Sequence, residues 1–295
     1  MKRRQFLEQT GRVGGGAMMS VLASGAVSGA GSGENEGATA SGGRSLAINS
    51  DPADPVAAAA PAGCAIAQLQ EALAARGIAA HLCERIEQAP AGARCLLAAG
   101  CRAPAAREIL DGASLFVPEA PEALALAAGK IAGRPVLLAG GSDTRGLVYA
   151  LLEVADRVAH ARDPLVALDL PHPLVERPAN PIRSVARLFV SEVEDKPWFY
   201  DRSFWPRYLS MLAAQRFNRF SLTFGIGYDF LKEVSDAYLH FAYPFLLAVP
   251  DYKVRAVGLP DEERDRNLST LRFISEAAAA RGLHFQLGLW THGYL

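Results

Sequence analysis

The residues able to do chemistry collect in the last third of the chain. Trp290, His292 and Tyr294 alternate at its end, so in an extended segment all three side chains leave on one side. Such a trio lines the rim of a pocket. Tyr228 and Asp229 follow an apolar run in the same way, and Arg187 stands inside another. A planar ring packs on the C–H face of a pyranose, and a guanidinium takes a carboxylate or a pair of hydroxyls. Arg187, Tyr228, Trp290, His292 and Tyr294 are therefore the candidate substrate-binding residues, and the ligand they suit is a sugar. Their plainer uses are loop packing over the mouth of a fold and, for Arg187, pairing with a structural acid.

Cleaving a glycosidic bond needs two carboxyl groups flanking it. The acids near these residues are Glu192, Glu194, Asp195, Asp201, Asp229, Glu233 and Asp236. Glu192 and Asp195 are the ones that directly follow an apolar segment. A loop carboxylate is ordinarily just solvated, so no catalytic pair is assigned.

The elements that must position these groups alternate. Ser184–Val190, Asn218–Phe224 and Leu283–Trp290 read as strands. Trp205–Arg216 and Asp261–Arg281 read as helices. Ser203 is a possible cap for the first helix. Asp261, Glu262 and Glu263 suit the positive end of the second, and Gly282 its far end. The insertion Phe241–Tyr252 is apolar enough for a lid or an oligomer contact. Strand, helix, strand, helix, strand is how a (β/α) barrel begins, with its working face at the carboxyl ends of the strands. If the apolar faces meet the helices, Thr223, Gln286, Trp290 and Arg187 point to the barrel axis, and Ala186, Leu188 and Val190 point outward. The stretch from Arg183 to Leu295 is less than half of the roughly 250 residues of an eight-unit barrel. Three strands cannot close one, so a longer enzyme is expected, of which this stretch is a fragment.

Upstream, residues 62–175 read as a small α+β sandwich. A helix carries Ile66, Leu69 and Leu73. Short strands are expected at Ile78–Cys83, Cys95–Ala99, Glu122–Ala128 and Pro135–Ala139. A helix around Pro104–Leu110 sits between the second and third of these, and another is capped by Asp143 and carries Leu147, Val148, Leu151 and Leu152. The turn Gly140–Gly146 has neither the G-x-G-x-x-G nor the G-x-x-x-x-G-K-[ST] pattern. The plainer reading is that its glycines let a strand enter a helix tightly. The Pro-rich run Pro171–Pro181 is an extended connector, and the barrel start follows over residues 180–295.

The first 30 residues read as a targeting segment. Lys2-Arg3-Arg4-Gln5-Phe6-Leu7 resembles a twin-arginine export signal, and the Gly- and Ala-rich run after it is too short to anchor in a bilayer. Export through the twin-arginine machinery to the periplasm or the cell exterior is the implied destination. Residues 31–61 have few large apolar side chains and read as a flexible linker.

Bulk properties exclude other classes. A net charge of −1 over 295 residues leaves no electrostatic footprint for nucleic acid. The six His and four Cys lack C-x-x-C or H-E-x-x-H spacing, so neither a metal nor a cofactor is expected. Cys64, Cys83, Cys95 and Cys101 read as small buried residues, with a Cys95–Cys101 disulfide left open.

Asp143-x-Arg145-Gly146-Leu147-x-Tyr149, after an apolar strand and a Gly turn, resembles the end of the small N-terminal domain in family 20 β-hexosaminidases and family 67 α-glucuronidases. Ala150 replaces their usual Gly. Arg183-x-x-x-Arg187-Leu188-Phe189, and the later Gln215-Arg216-Phe217-Asn218-Arg219-Phe220, resemble the first barrel unit of the same enzymes. The resemblance covers about two thirds of the chain. It implies a small α/β domain followed by a (β/α)8 barrel, with Arg187 placed as a first-strand arginine that contacts sugar hydroxyls and with the catalytic acids on later strands, beyond Leu295. The Asp three residues before that arginine is Ser184 here, so the hexosaminidase substrate does not carry over. The implied function is an exported glycoside hydrolase acting on a polysaccharide or oligosaccharide with an acidic sugar. The alternative is a non-catalytic carbohydrate-binding protein with a degenerate barrel.

Overall fold

The computed structural model describes residues 44–224, 245–248, 251 and 259–289, apart from the side chain of Glu192. Two sheets are built from these residues. The first is six-stranded. Its strands are β1 (Ser45–Ser50), β2 (Ala79–Cys83), β3 (Arg94–Gly100), β4 (Leu124–Ile131), β5 (Arg134–Gly141) and β6 (Leu174–Glu176). Their spatial order is β2-β1-β3-β5-β4-β6. The first four in that order are parallel, and β4 runs antiparallel to both its neighbours.

Side-chain alternation then fixes the layers. Leu46, Ile48, Leu96, Leu124 and Leu137 face α1 (Ala60–Ala75) and α3 (Thr144–His160). Ala47, Cys95, Leu97, Ala125 and Leu138 face α2 (Pro104–Gly112) and the turn at Ile86. Helices therefore cover both faces, as a mostly parallel sheet requires. The four cysteines are free thiols, so no Cys95–Cys101 bridge forms.

One sequence expectation is corrected here. β1 lies inside the stretch read as linker, and it is a central strand. Leu46, Ala47 and Ile48 are buried on both faces. A short two-sided strand has no alternation to reveal it, and the Gly and Ala around it dilute its apolar character. The connector Pro171–Pro181 likewise supplies β6. The leader lies outside the described residues.

The Gly-rich turn is a packing device. A Cβ on Gly146 would sit 2.1 Å from the Ala123 carbonyl oxygen, and one on Gly141 would sit 2.0 Å from the Leu147 nitrogen. Asp143 caps α3. Its Oδ1 accepts from the Gly146 amide at 2.8 Å, and its Oδ2 accepts from the Glu122 amide at 3.0 Å. With the amides tied down inside the protein, the turn does not form a phosphate cradle.

The second sheet is parallel and has the order β7-β8-β9: β7 (Ser184–Phe189), β8 (Arg219–Phe224) and β9 (His284–Leu289). α4 (Glu192–Phe199) and α5 (Phe204–Ala214) connect β7 to β8, and α6 (Asp261–Ala279) leads into β9. An aromatic core of Phe189, Phe199, Trp205, Phe220 and Phe224 joins the strands to the helices. Phe245 and Leu246 are buried in the same core, so this part of the apolar insertion packs inside rather than serving as a lid. α4 was not expected, because its eight residues carry four charges and Pro197. α5 is capped by Asp201, whose Oδ1 accepts from the Ser203 and Phe204 amides; Ser203 was the expected cap, and its side chain does not serve as one.

A polar knot joins the two sheets. Glu122 has a left-handed backbone (φ 63°) and a side chain only 6% exposed. Its carboxylate accepts from Arg145 at 2.6 Å, from Asn218 at 2.9 Å, and from Arg183. Arg183 also donates to the Tyr149 hydroxyl at 3.1 Å, and Arg145 donates to His284 Nε2 at 2.8 Å. Nearby, Arg216 bridges Glu153 and Glu176. Burial alone would raise the Glu122 pKa. The hydrogen bonds from Arg183 and Asn218 and the charges of Arg183 and Arg145 outweigh it and hold the carboxyl below its ordinary value. The Tyr149 hydroxyl is pushed up to about 12 by burial and by the Glu122 charge.

Candidate functional site

The β7–β9 sheet has one face under helices and one open face. Its register aligns Val185 with Phe220 and Phe285, and Phe189 with Phe224 and Leu289. Val185, Phe189, Phe220, Phe224 and Phe285 pack in the helix-covered core, where Phe220 meets Trp205 and Tyr208 of α5; Leu289, at the end of β9, is 49% exposed. The other face carries Ser184, Ala186 and Leu188, then Arg219, Ser221 and Thr223, then His284, Gln286 and Gly288. Leu188 is 45% exposed there. In a barrel this face looks to the axis.

Three uncharged hydrogen-bonding groups stand together on it. The Ser221 hydroxyl donates to Gln286 Oε1 at 3.3 Å. Thr223 fills the space over Gly288, where a Cβ would lie 2.5 Å from its Oγ1. Thr223 and Gln286 are therefore where the alternation argument puts them. Hydroxyl and amide groups of this kind can exchange hydrogen bonds with sugar hydroxyls. No carboxylate shares the open face among the described residues.

Arg187 is corrected. The register pairs it with Leu222, on the helix-covered face. Its guanidinium carbon lies 3.9 Å from the ring centre of Trp198, 5.2 Å from that of Phe204 and 5.9 Å from that of Tyr208. Its Nε is buried without a hydrogen-bond partner. Cation–π attraction to the ring faces takes the place of a carboxylate partner. Ala186 and Leu188 suggested an outward apolar face, but Val185 and Phe189 are apolar too, and the larger Phe189 enters the aromatic core. Trp198 and Phe204 escaped the sequence reading. The signal available was the density of rings in Trp198-Phe199-Tyr200 and Phe204-Trp205 just after a strand.

Asp195 has a structural use. Its Oδ2 accepts from the Val190 and Ser191 amides at 2.7 and 2.8 Å, and its Oδ1 accepts from Trp198 Nε1 at 2.8 Å. Every one of these bonds shapes the turn from β7 into α4. Glu194 is exposed, and Glu263 pairs with Lys196 at 2.5 Å. Tyr228, Trp290, His292 and Tyr294 lie outside the described residues, as do Asp229, Glu233 and Asp236. The structure thus brings together the strand residues Ser221, Thr223 and Gln286 and separates Arg187 from them. Among the described residues no cluster of His, Cys, Asp and Glu could hold a metal ion, and no helix is long and apolar enough to cross a membrane.

Among solved structures, the chain is similar to a GH138 enzyme targeting pectin rhamnogalacturonan II. The TM-score is 0.56 at 16% identity, over 81% of this chain and 30% of that one. The fold is glycoside-hydrolase-like. CpGH84D is also matched, with a TM-score of 0.45 at 11% identity, over 83% of this chain and 41% of that one. The chain thus spans less than half the length of either protein. No protein-family model matches the sequence, and no curated protein matches it.

Proposed function

We propose that this chain is the front of an exported glycoside hydrolase, with a small α/β domain at residues 62–175 extended by β1 and β6. The first three units of its barrel would present Ser221, Thr223 and Gln286 to a glycan, and later strands would supply the catalytic carboxyl pair. The observation that carries this reading is the similarity to the GH138 enzyme over four fifths of the chain, joined to an open strand face with hydroxyl and amide groups and, among the described residues, no acid. The substrate proposed is a polysaccharide or oligosaccharide with an acidic sugar, of the pectic kind that the GH138 enzyme targets. Arg187 does not support that choice, since it faces the helices. The leader around Arg3 and Arg4 supports delivery to the periplasm or beyond by twin-arginine export.

The test is to express the whole coding frame and incubate the folded protein with pectic rhamnogalacturonan II and with a neutral β-glucan. Release of new reducing ends from the pectic substrate is expected. Binding without release would replace the hydrolase with a non-catalytic carbohydrate-binding protein. Neither binding nor release with any glycan would overturn the reading.

A further inference from the structure

The first sheet has a cleft of its own, remote in sequence from the barrel strands. It holds about 410 Å³ and opens where β3 and β5 end, beside Cys101 and Ser142. Openings at the carboxyl ends of parallel strands are the usual ligand crevices of α/β sheets. The crevice between β1 and β3, whose following helices leave to opposite faces, is plugged here. Asp54 Oδ2 accepts from the Gly100 amide at 2.6 Å, and a Cβ on Gly100 would lie 3.1 Å from Val56. The opening is displaced to the β5 side.

Its lining is mixed in a particular way. Phe116 is 79% exposed, on a segment with no helix or strand between α2 and β4. Arg102 reaches Glu119 across 2.9 Å. Arg107 and Asp111 stand one turn apart on α2, both on the cleft wall. An exposed planar ring offers a platform for an apolar ring face. Guanidinium and carboxylate groups around it can donate to and accept from a ring of hydroxyls. A pyranose has both properties, and the cleft volume falls in the range of small-ligand sites. A phosphate group fits less well. Asp111, Glu119 and Asp143 would repel it, and the Gly146 amide of α3 is already bonded to Asp143. A purely apolar ligand would leave the charges of Arg102, Arg107, Asp111, Glu119 and Asp143 to desolvate. The Cys101 thiol, raised to about 11 by burial and the charge of Asp54, stays protonated and serves as wall rather than nucleophile.

We infer that this cleft is a second glycan-binding site, in which Phe116 stacks on a pyranose ring and Arg107, Asp111 and the Arg102–Glu119 pair hold its polar groups. It would keep a polysaccharide on the small domain while the barrel acts elsewhere on it. The ligand class rests on the proposed function; the site does not.

The test is a titration without turnover. The 295-residue chain, labelled with nitrogen-15, is titrated separately with cellobiose, digalacturonate and inorganic phosphate. Amide shifts at Cys101, Phe116 and Ser142, which line the cleft, are expected with at least one of the two sugars. Phe116→Ala, at an exposed position that leaves the core intact, should weaken that binding about tenfold or more. Arg107→Ala should weaken digalacturonate more than cellobiose if both bind. Shifts with phosphate alone, no shifts with either sugar, or affinity unchanged in Phe116→Ala would each overturn the inference. A positive titration with a full-length protein that hydrolyses nothing would sink the hydrolase reading and leave this site standing.

Discussion

Glu122 shows how much one buried carboxylate can hold. It binds Arg145 from its own domain, and Arg183 and Asn218 from the start of the next sheet. Breaking a buried pair by removing one partner typically costs about 3–5 kcal/mol, because the other charge is left uncompensated. Glu122→Gln should therefore lower stability by about that amount, read from urea midpoints at neutral pH. The pH dependence has a definite sign. A carboxyl held below its ordinary pKa in the folded state stabilises above the unfolded value, near 4.3, and loses that contribution as pH falls through the folded value. Between pH 5 and 3 the wild-type midpoint should fall more steeply than that of Glu122→Gln. Equal slopes would mean that the ionised form is not what the knot recognises. None of this was legible in sequence, where Glu122 is one acid among 31 Asp and Glu. Arg187 was legible as unusual but not as oriented. Alternation divides β7 into two faces, yet Ala186 and Leu188 on one side and Val185 and Phe189 on the other are all apolar. Volume decided the matter: the aromatic core admits Phe189, and Arg187 must follow it.

At the scale of elements, the sequence was most readable where a cap or a glycine marks a boundary. The entry into α3 is the clearest case, and its two devices can be separated. Asp143→Ala removes a cap that satisfies two amides and should cost about 1–2 kcal/mol. Gly146→Ala leaves the cap in place but drives a methyl toward the Ala123 carbonyl, with only 2.1 Å between their atoms. Overpacking of this kind costs about 1–3 kcal/mol or more, and backbone on the far side cannot rotate away as a side chain would. Gly146→Ala is therefore expected to be at least as destabilising as Asp143→Ala in chemical denaturation, although alanine is the better helix former. A neutral or stabilising Gly146→Ala would show that the strand and helix are not in close contact. The elements that the sequence hid lacked such markers. β1 is buried on both faces and shows no period. α4 is short and charged, and it is held by contacts that no local pattern encodes, with Asp195 turning back to the Val190 and Ser191 amides.

For the whole molecule, the question is whether the two sheets unfold together. Each has its own core, which by itself would allow two transitions. Against that stand the Glu122 knot, the Arg216 bridges to Glu153 and Glu176, and Ala213 of α5, which packs into the core of the first sheet. The tryptophans make a built-in probe. Trp198 and Trp205 both lie in the β7–β9 part, and residues 44–197 contain none. Fluorescence therefore follows the barrel start, while far-ultraviolet circular dichroism follows both sheets. Coincident urea transitions by the two probes are expected for the wild type, as for a single cooperative unit. Arg183→Met keeps the stem but removes the donors to Glu122 and Tyr149. In that variant the fluorescence transition should move to lower urea and separate from the dichroism transition, because among the described residues the three-strand sheet has only its own small core and leans on its neighbour through the Glu122 knot. Separate transitions already in the wild type would mean that the knot does not couple the sheets. Coincident ones in Arg183→Met would assign the coupling to the apolar contact at Ala213 instead, and Ala213→Asp would then be the variant that divides them.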